Sequence, residues 1–299
     1  MNAIEIRNLS KSFRGMYAVD HLSMTVPQGA IYGFIGENGS GKSTTEKLIC
    51  GHLVPDEGEI KLFGRDYTDP GVRVRVGALI ENAGCFPNSS VYQNLRMQTI
   101  NLGLENPDDE IRRVLEIVRM EDNANLKFKS CSLGMKQRIG IAMALLGDPA
   151  LLILDEPING LDTDGMRIMR EIFLDIVKDG TRSIVVSSHL LAELQKVATH
   201  YGIIRHGKMI VEMTAAELDA SCRTYVALQT GEMNRTKMLL GCKYSRVEED
   251  EAGYIRVYDL TTPEEIVTYL YENGICVTEI KTDKIGLEEY YIDLMKEGK

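Results

Sequence analysis

Apolar positions along the chain fall into short runs separated by helical stripes. Residues 30 to 35, AIYGFI, are an apolar run of strand length, the pattern of a strand buried on both faces. In the next stretch, TTEKLICGHL, Leu48, Ile49 and Leu53 share one helical face. Upstream, AIEIRNL and LSMTVPQG read as short strands. Residues 58 to 64, GEIKLFG, alternate and read as a strand closed by Gly64, and RVRVGALIE reads as another that ends near Glu81. NAGCFPNSS is rich in turn formers and reads as loop. Two helices follow. The second places Ile111, Val114, Leu115 and Val118 at helical spacing behind Pro107 and two aspartates.

Residues 131 to 147, CSLGMKQRIGIAMALLG, read as a helix with Ser132 as its cap. LLILDEP, from Leu151, reads as a buried parallel strand that runs into two carboxylates. After the turn NGLD a helix carries Met166, Met169, Phe173, Ile176 and Val177 on a core-facing stripe. RSIVVSSH reads as a strand ending at His189, and GIIRHGKMIVE as a hairpin turning at His206 and Gly207. This α/β alternation closes a first domain near Leu218. From residue 219 the order is strand, helix, two strands, helix, strand, helix, with LEEYYIDLMKEG as the last helix. That order predicts a small α+β domain of ferredoxin-like type over residues 219 to 299.

Composition narrows the function classes. The 299 residues hold 44 acidic against 34 basic side chains, a formal net charge of −10. A nucleic-acid surface needs a dense basic field, so no nucleic-acid partner is expected. Cys50, Cys85, Cys131, Cys222, Cys242 and Cys276 form neither C-x-x-C pairs nor zinc spacings with histidine. They read as reduced thiols of a cytosolic protein. Met1 leads straight into a strand-like segment, without the layout of a signal peptide. No apolar run nears the ~18 residues of a membrane span, so work at a membrane requires another chain to cross it.

The candidate chemistry lies at strand ends. GENGSGKS, residues 36 to 43, fits Gly-x4-Gly-Lys-Ser between a strand and a helix, the context in which that loop binds phosphate. Gly36, Gly39 and Gly41 are expected at positive φ and in close approach to a ligand. Backbone N–H groups and the helix N-terminus then cradle phosphate oxygens. Lys42 is expected on the β and γ phosphates, Ser43 on Mg²⁺, and Thr44 on the α phosphate. Asn38 and Ser40 complete the loop. Asp155 is placed to hold Mg²⁺, and Glu156 to act as general base toward an attacking water. His189 stands on the phosphate side of its strand end, where a neutral imidazole can bond the γ phosphate. Phe13, upstream of the loop, suits either a core position or stacking on a nucleobase. Ser132 and the N–H of Gly134 suit either an ordinary helix cap or an anion site.

Taken together, residues 1 to about 218 resemble the nucleotide-binding subunit of ATP-binding-cassette transporters. GENGSGKS matches the Walker A loop, SLGMKQR the cassette signature, LLILDEP Walker B, NGLD the D-loop with Asp162, and His189 the switch histidine. The resemblance implies a P-loop NTPase cassette: a mixed sheet, an antiparallel β subdomain and a helical subdomain over about residues 85 to 147. It implies ATP and Mg²⁺ as ligands and adenine stacking on Phe13. It also implies two cassettes, a homodimer or pseudo-dimer, facing head to tail, with Ser132 and Gly134 acting on the partner's ATP. A transmembrane permease would hold the pair on the cytoplasmic face of the membrane and turn its cycle into transport.

Two positions depart from the common pattern. Leu133 replaces one of two adjacent signature glycines. Glu81 stands where glutamine is usual, so a carboxylate that can meet Mg²⁺ or a basic group replaces a donor. The context GALIENAGCFPNSSVYQNL, together with the C-terminal appendage, is similar to the bacitracin-resistance and lantibiotic-immunity exporters. That implies export of an antimicrobial peptide. Other cargo (ions, lipids, polysaccharide) and a non-transport cassette acting on nucleic acid or ribosomes are the alternatives.

Overall fold

A computed structural model describes residues 1–221, 224–250, 252–259, 261–284, 290–292 and 294. The chain divides into two compact units, Met1–Ala215 and Ala216–Lys299.

The first unit contains ten strands: β1 (Asn2–Phe13), β2 (Met16–Pro27), β3 (Ile31–Ile35), β4 (Glu57–Leu62), β5 (Arg65–Asp66), β6 (Val76–Leu79), β7 (Leu151–Asp155), β8 (Ser183–Ser188), β9 (His200–Arg205) and β10 (Lys208–Thr214). An antiparallel sheet has the order β2-β1-β4-β5. The larger sheet has the order β10-β9-β3-β8-β7-β6. Its pairings from β9 to β6 are parallel, and β10 closes one edge antiparallel to β9. The inner strands β3 and β8 are buried throughout, and Leu151 to Leu154 of β7 are fully buried. Strands covered on both faces need such continuous apolar runs, which is why AIYGFI and LLIL were legible.

Helix α1 (Lys42–Ile49) buries Leu48 and Ile49 in one cluster with Ile4, Ile60 and Leu62 of the antiparallel sheet and Leu151 and Ile153 of the parallel one. The C-terminal half of α1 is thereby fixed against both layers. The segment between β6 and β7 carries three helices, Val91–Asn101, Pro107–Ile117 and Leu133–Leu145. Ser90 and Gln93 form a reciprocal capping box at the first, and Pro107 opens the second with three acids in its first turn.

Three local expectations fail. AIEIRNL and LSMTVPQG belong to strands of twelve residues each, joined by a turn at Arg14 and Gly15. RVRVGALIE is only partly strand. Asp69 caps a short helix, Pro70–Arg73, by accepting from Gly71 N at 2.8 Å. Val74 is exposed at the C-terminus of that helix and Val76 opens β6, so the Arg-Val alternation spans the exit of a helical turn and the start of a short strand rather than one pleat. On the helix Thr163–Val177 the buried face is Met169, Ile172, Phe173 and Ile176, so Ile172 takes a place expected of Met166 and Val177.

The second unit forms a four-stranded antiparallel sheet: β11 (Thr224–Thr230), β12 (Val247–Glu249), β13 (Ile255–Val257) and β14 (Val277–Lys284). The order β12-β13-β11-β14, with helices Met233–Lys243 and Pro263–Glu272 as the crossovers, is the ferredoxin-like arrangement. Val226, Leu228, Leu240, Ile255, Val257, Ile266 and Leu270 form its own core. The last expected helix, LEEYYIDLMKEG, falls largely outside the described residues.

Candidate active site

Neighbouring strand ends converge at the C-terminal edge of the parallel sheet. β3 runs into the glycine loop and α1, β8 into His189, and β7 into Asp155 and Glu156. Ile35 lies opposite Ser188, and Asp155 opposite Ser187, so the register alone brings these groups together. Such an edge is where open α/β sheets bind ligands.

The loop is shaped by close approach. Gly41 has φ 111°, and a Cβ there would run into the carbonyl oxygen of Ala18. Gly39 also has a positive φ. Gly36 does not; its need for glycine is that a Cβ would lie 2.6 Å from Ile204 O and against the Ser40 hydroxyl. The expectation of positive φ at Gly36 is corrected to one of crowding. No side chain caps α1, so its first N–H groups are left without a side-chain acceptor, as an anion site requires. Ser40 is buried and its hydroxyl has no partner.

Lys42 is buried and donates to Gly36 O at 2.6 Å and Glu37 O at 3.2 Å. Its counter-charge is Glu156, with Nζ to Oε1 at 3.9 Å. The other oxygen of Glu156 meets His189 Nδ1 at 2.9 Å. An ionised carboxylate only accepts, so Nδ1 carries the proton in that contact. A neutral ring then presents Nε2 as an acceptor. Donation from Nε2 to a phosphate oxygen requires the imidazolium, or release of the Glu156 contact. Glu156 itself holds φ 49°, and its N–H donates to Ser187 Oγ at 3.1 Å. A non-glycine residue in that region costs of order 1 kcal/mol or more, and such strain clusters at functional sites.

Ser43 Oγ donates to Asp155 Oδ2 at 3.0 Å, and Ser187 Oγ donates to Asp155 Oδ1 at 2.8 Å. Among the described residues no three His, Cys, Asp or Glu side chains cluster as a metal cage. Mg²⁺ needs none, because it takes one or two protein oxygens and completes its shell with phosphate oxygens and water. The hard oxygens of Ser43 and Asp155 fit that demand. Asn38, Gly39, Gly41, Lys42, Ser43, Thr44, Asp155 and Glu156 line one groove of about 370 Å³.

Other candidates sit elsewhere. Glu81 pairs with Lys47 of α1 at 2.6 Å rather than with Ser43 or Asp155. The bond to that ammonium holds its carboxyl below the usual range. Phe13 is half exposed at the end of β1, with the Lys11 ammonium 5.7 Å from its ring centre, which settles it outside the core. Ser132 caps Leu133–Leu145, accepting from Met135 N at 3.3 Å, and Asp162 caps Thr163–Val177, accepting from Gly165 N at 2.8 Å. Ser132, Leu133, Gly134, Gly160, Leu161 and Asp162 line a second groove of about 410 Å³, which shares no lining residue with the first.

Sequence reasoning missed Ser187, Lys47 and Glu46. Glu46 is fully buried, and neither carboxyl oxygen has a hydrogen-bond partner; the Ser187 hydroxyl beside it is already committed to Asp155. Burial, then the Asp155 charge, pushes its pKa up to about 8. The available signal was a carboxylate three residues before Ile49, on the apolar side of an amphipathic helix.

The ABC transporter family profile matches residues 19–159. The bacitracin transport ATP-binding protein of Bacillus licheniformis is 36% identical over 99% of this chain and 98% of its own length. The chain belongs to the ATP-binding-cassette transporter ATPases. The lantibiotic transport ATP-binding protein of Streptococcus pyogenes is 38% identical over 70% of this cassette chain and 90% of its own length. Among solved structures, cbiO1 of Clostridium perfringens, part of the ABC transporter complex cbiONQ, superposes with TM-score 0.67 at 24% identity, covering 73% of this chain and 91% of that one. That likeness shows the shared fold. As a cassette ATPase, the chain binds ATP and couples its hydrolysis to transport. Among the described residues no helix is long and apolar enough to cross a membrane.

Proposed function

We propose that this ATPase drives export of an antimicrobial peptide through a separate membrane subunit, as a cytoplasmic chain held peripherally on the membrane by that partner. The observation that carries this reading is similarity to a bacitracin transport subunit over essentially the whole length, the C-terminal unit included. In this reading the groove at Lys42 holds the ATP phosphates, with Asn38, Gly39, Gly41 and Thr44 around them and Phe13 toward the adenine. Ser43 and Asp155 hold Mg²⁺, which would neutralise charge on the β and γ phosphates. Glu156, oriented by His189 and by the Ser187 bond to its backbone, takes a proton from the attacking water.

The separate groove at Ser132, Gly134 and Asp162 supports a head-to-tail pair of cassettes. It offers a helix N-terminus and carries neither the lysine nor the metal oxygens, so one chain holds the two unlike halves of a site. A second copy, or a close relative, supplies the complement to each.

The test is a deletion of this chain in its host, followed by challenge with bacitracin, with lanthionine peptides and with a non-peptide antibiotic. The expected result is increased sensitivity to at least one peptide class only, restored by the parent chain and not by Glu156→Gln. Unchanged peptide sensitivity would overturn the cargo assignment and leave the ATPase in place.

A further inference from the structure

We infer that β14 is a docking edge for the β14 of a second copy of this chain, the two strands pairing antiparallel about a two-fold axis at Ile280. The inference concerns the second unit and goes beyond the nucleotide site, so it stands or falls apart from the cargo reading.

The sheet order β12-β13-β11-β14 leaves two edges. β12 is three residues long, and a short edge strand is a usual guard against pairing with another chain. β14 has eight residues, Val277–Lys284. Among the described residues it pairs only with β11, so its other edge offers the N–H and C=O groups that an added strand needs. Thr278, Glu279, Lys281 and Thr282 are exposed. Where β14 meets helix Pro263–Glu272 lies a groove of about 210 Å³, lined by Val267, Tyr271, Ile275, Val277 and Ile280 among others. Val267 and Tyr271 are exposed there, one helical turn apart.

Charge selects the occupant. Val226 and Leu228, on the core face of β11, lie opposite Thr282 and Ile280. Glu279 and Lys281 therefore share the other face. Tyr254 meets both of them: the Lys281 ammonium is 4.5 Å from its ring centre, and its hydroxyl is bonded to Glu279. A two-fold axis at Ile280 sets each Glu279 opposite the Lys281 of the other copy, twice per dimer. It also sets Thr278 opposite Thr282, and Ile280 opposite Ile280 beside the groove. Moving the axis one residue either way would put Glu279 or Lys281 against itself, and like charges directly opposite are destabilising. A lysine on an edge repels indiscriminate pairing; this one is answered by the strand's own glutamate. The edge is thus complementary to itself in one register, as a two-fold contact requires.

The test is sedimentation velocity on the full chain without nucleotide and with excess chelator, which keeps the cassette grooves out of the measurement. One edge contact is small beside a standard interface, so the dimer is sought up to about 200 µM protein. The parent should dimerise as concentration rises. Glu279→Lys and Lys281→Glu should each weaken dimerisation about tenfold, because each turns two attractive pairs into two repulsive ones. An equimolar mixture of the two variants should associate again, since each supplies the charge that the other lacks, and so should the double variant. A monomeric parent would overturn a second copy as the occupant. Single variants that dimerise like the parent, or a mixture no better than its parts, would overturn the pairing at Ile280. Ser132→Ala should leave this dimer unchanged; its loss there would move the contact to the cassette unit and overturn the inference. Unchanged melting temperatures show that the single variants lose the contact and not the fold.

Discussion

The two grooves of the cassette unit are built by opposite means. Around Lys42 the polar groups are wired to one another, from buried Lys42 and Ser187 out to exposed His189: Lys42 to the Gly36 carbonyl and Glu156, Glu156 to His189, and Asp155 to both Ser43 and Ser187. Around Ser132 the polar groups satisfy their own helices, and exposed Leu133 forms the wall. Buried polar networks fix geometry because each member loses its partners if it moves. An open helix terminus fixes nothing until an anion arrives. This difference suits the first groove to chemistry on phosphate and, in the head-to-tail pair proposed above, the second to a phosphate that another chain presents.

The sharpest way to break this contrast is at Glu156. Glu156→Gln removes the proton acceptor while leaving a side chain of the same shape. Steady-state ATPase should fall about 10²- to 10⁴-fold, the usual worth of a general base, with nucleotide affinity within a few-fold of the parent. A variant that hydrolyses at the parent rate would remove Glu156 from that role. Lys42→Ala comes next. Losing a charge-assisted donor costs about 1.5–3 kcal/mol, so ATP binding to the isolated chain should weaken about 10- to 100-fold by equilibrium titration. Ser132→Ala should leave that single-chain binding unchanged and lower only the protein-concentration-dependent part of the ATPase. Equal binding losses in the two variants would mean that the grooves do not divide the work in this way.

Glu46 tests the wiring through stability rather than turnover. Its folded pKa, about 8, lies above the ordinary 4.5. For an acid shifted upward, the folded state binds the proton more tightly than the unfolded chain does. The stability from Glu46 is then complete below about pH 4.5 and is lost as pH rises through about 8. Between pH 6 and pH 8 the loss should be about 2 kcal/mol at ~1.4 kcal/mol per unit. Urea denaturation at the two pH values checks it. Glu46→Gln, which cannot ionise, should flatten that slope; an equal slope in both chains would show that the carboxyl is solvated or already charged.

What the sequence made legible follows from range. The glycine loop, the strand run LLIL, the cap Ser132 and the turn NGLD are written in adjacent residues, and each stands in its expected element. Partners drawn from distant strands were not legible: Ser187 reaches Asp155 from thirty-two residues away, and Lys47 reaches Glu81 from thirty-four. Nothing in local period encodes such pairs. The Arg-Val alternation misled because period two over a few residues also fits the exit of a capped turn that runs into a short strand. Gly36 was singled out for the wrong cause, since neighbours 168 residues downstream, at Ile204, and not its own dihedral, exclude a side chain there.

The smallest effect concerns the wall of the second groove. Leu133 is 49% exposed, and its Cδ2 lies 3.0 Å from where a Cβ on Gly160 would stand. Gly160 has φ 73° in the turn that leads to Asp162. Leu133→Gly, at the first position of its helix, should cost under ~1 kcal/mol. Gly160→Ala should cost more, since it meets both the dihedral penalty and the leucine. If apolar contact between signature and D-loop sets the groove, the two changes are coupled: Gly160→Ala should be about 0.5–1 kcal/mol less damaging when Leu133 is already glycine, the scale for residues in contact. Urea midpoints for the parent, both single variants and the double variant measure that difference. Strict additivity would mean that the turn is held by its backbone alone, so that Leu133 shapes the groove without bracing it.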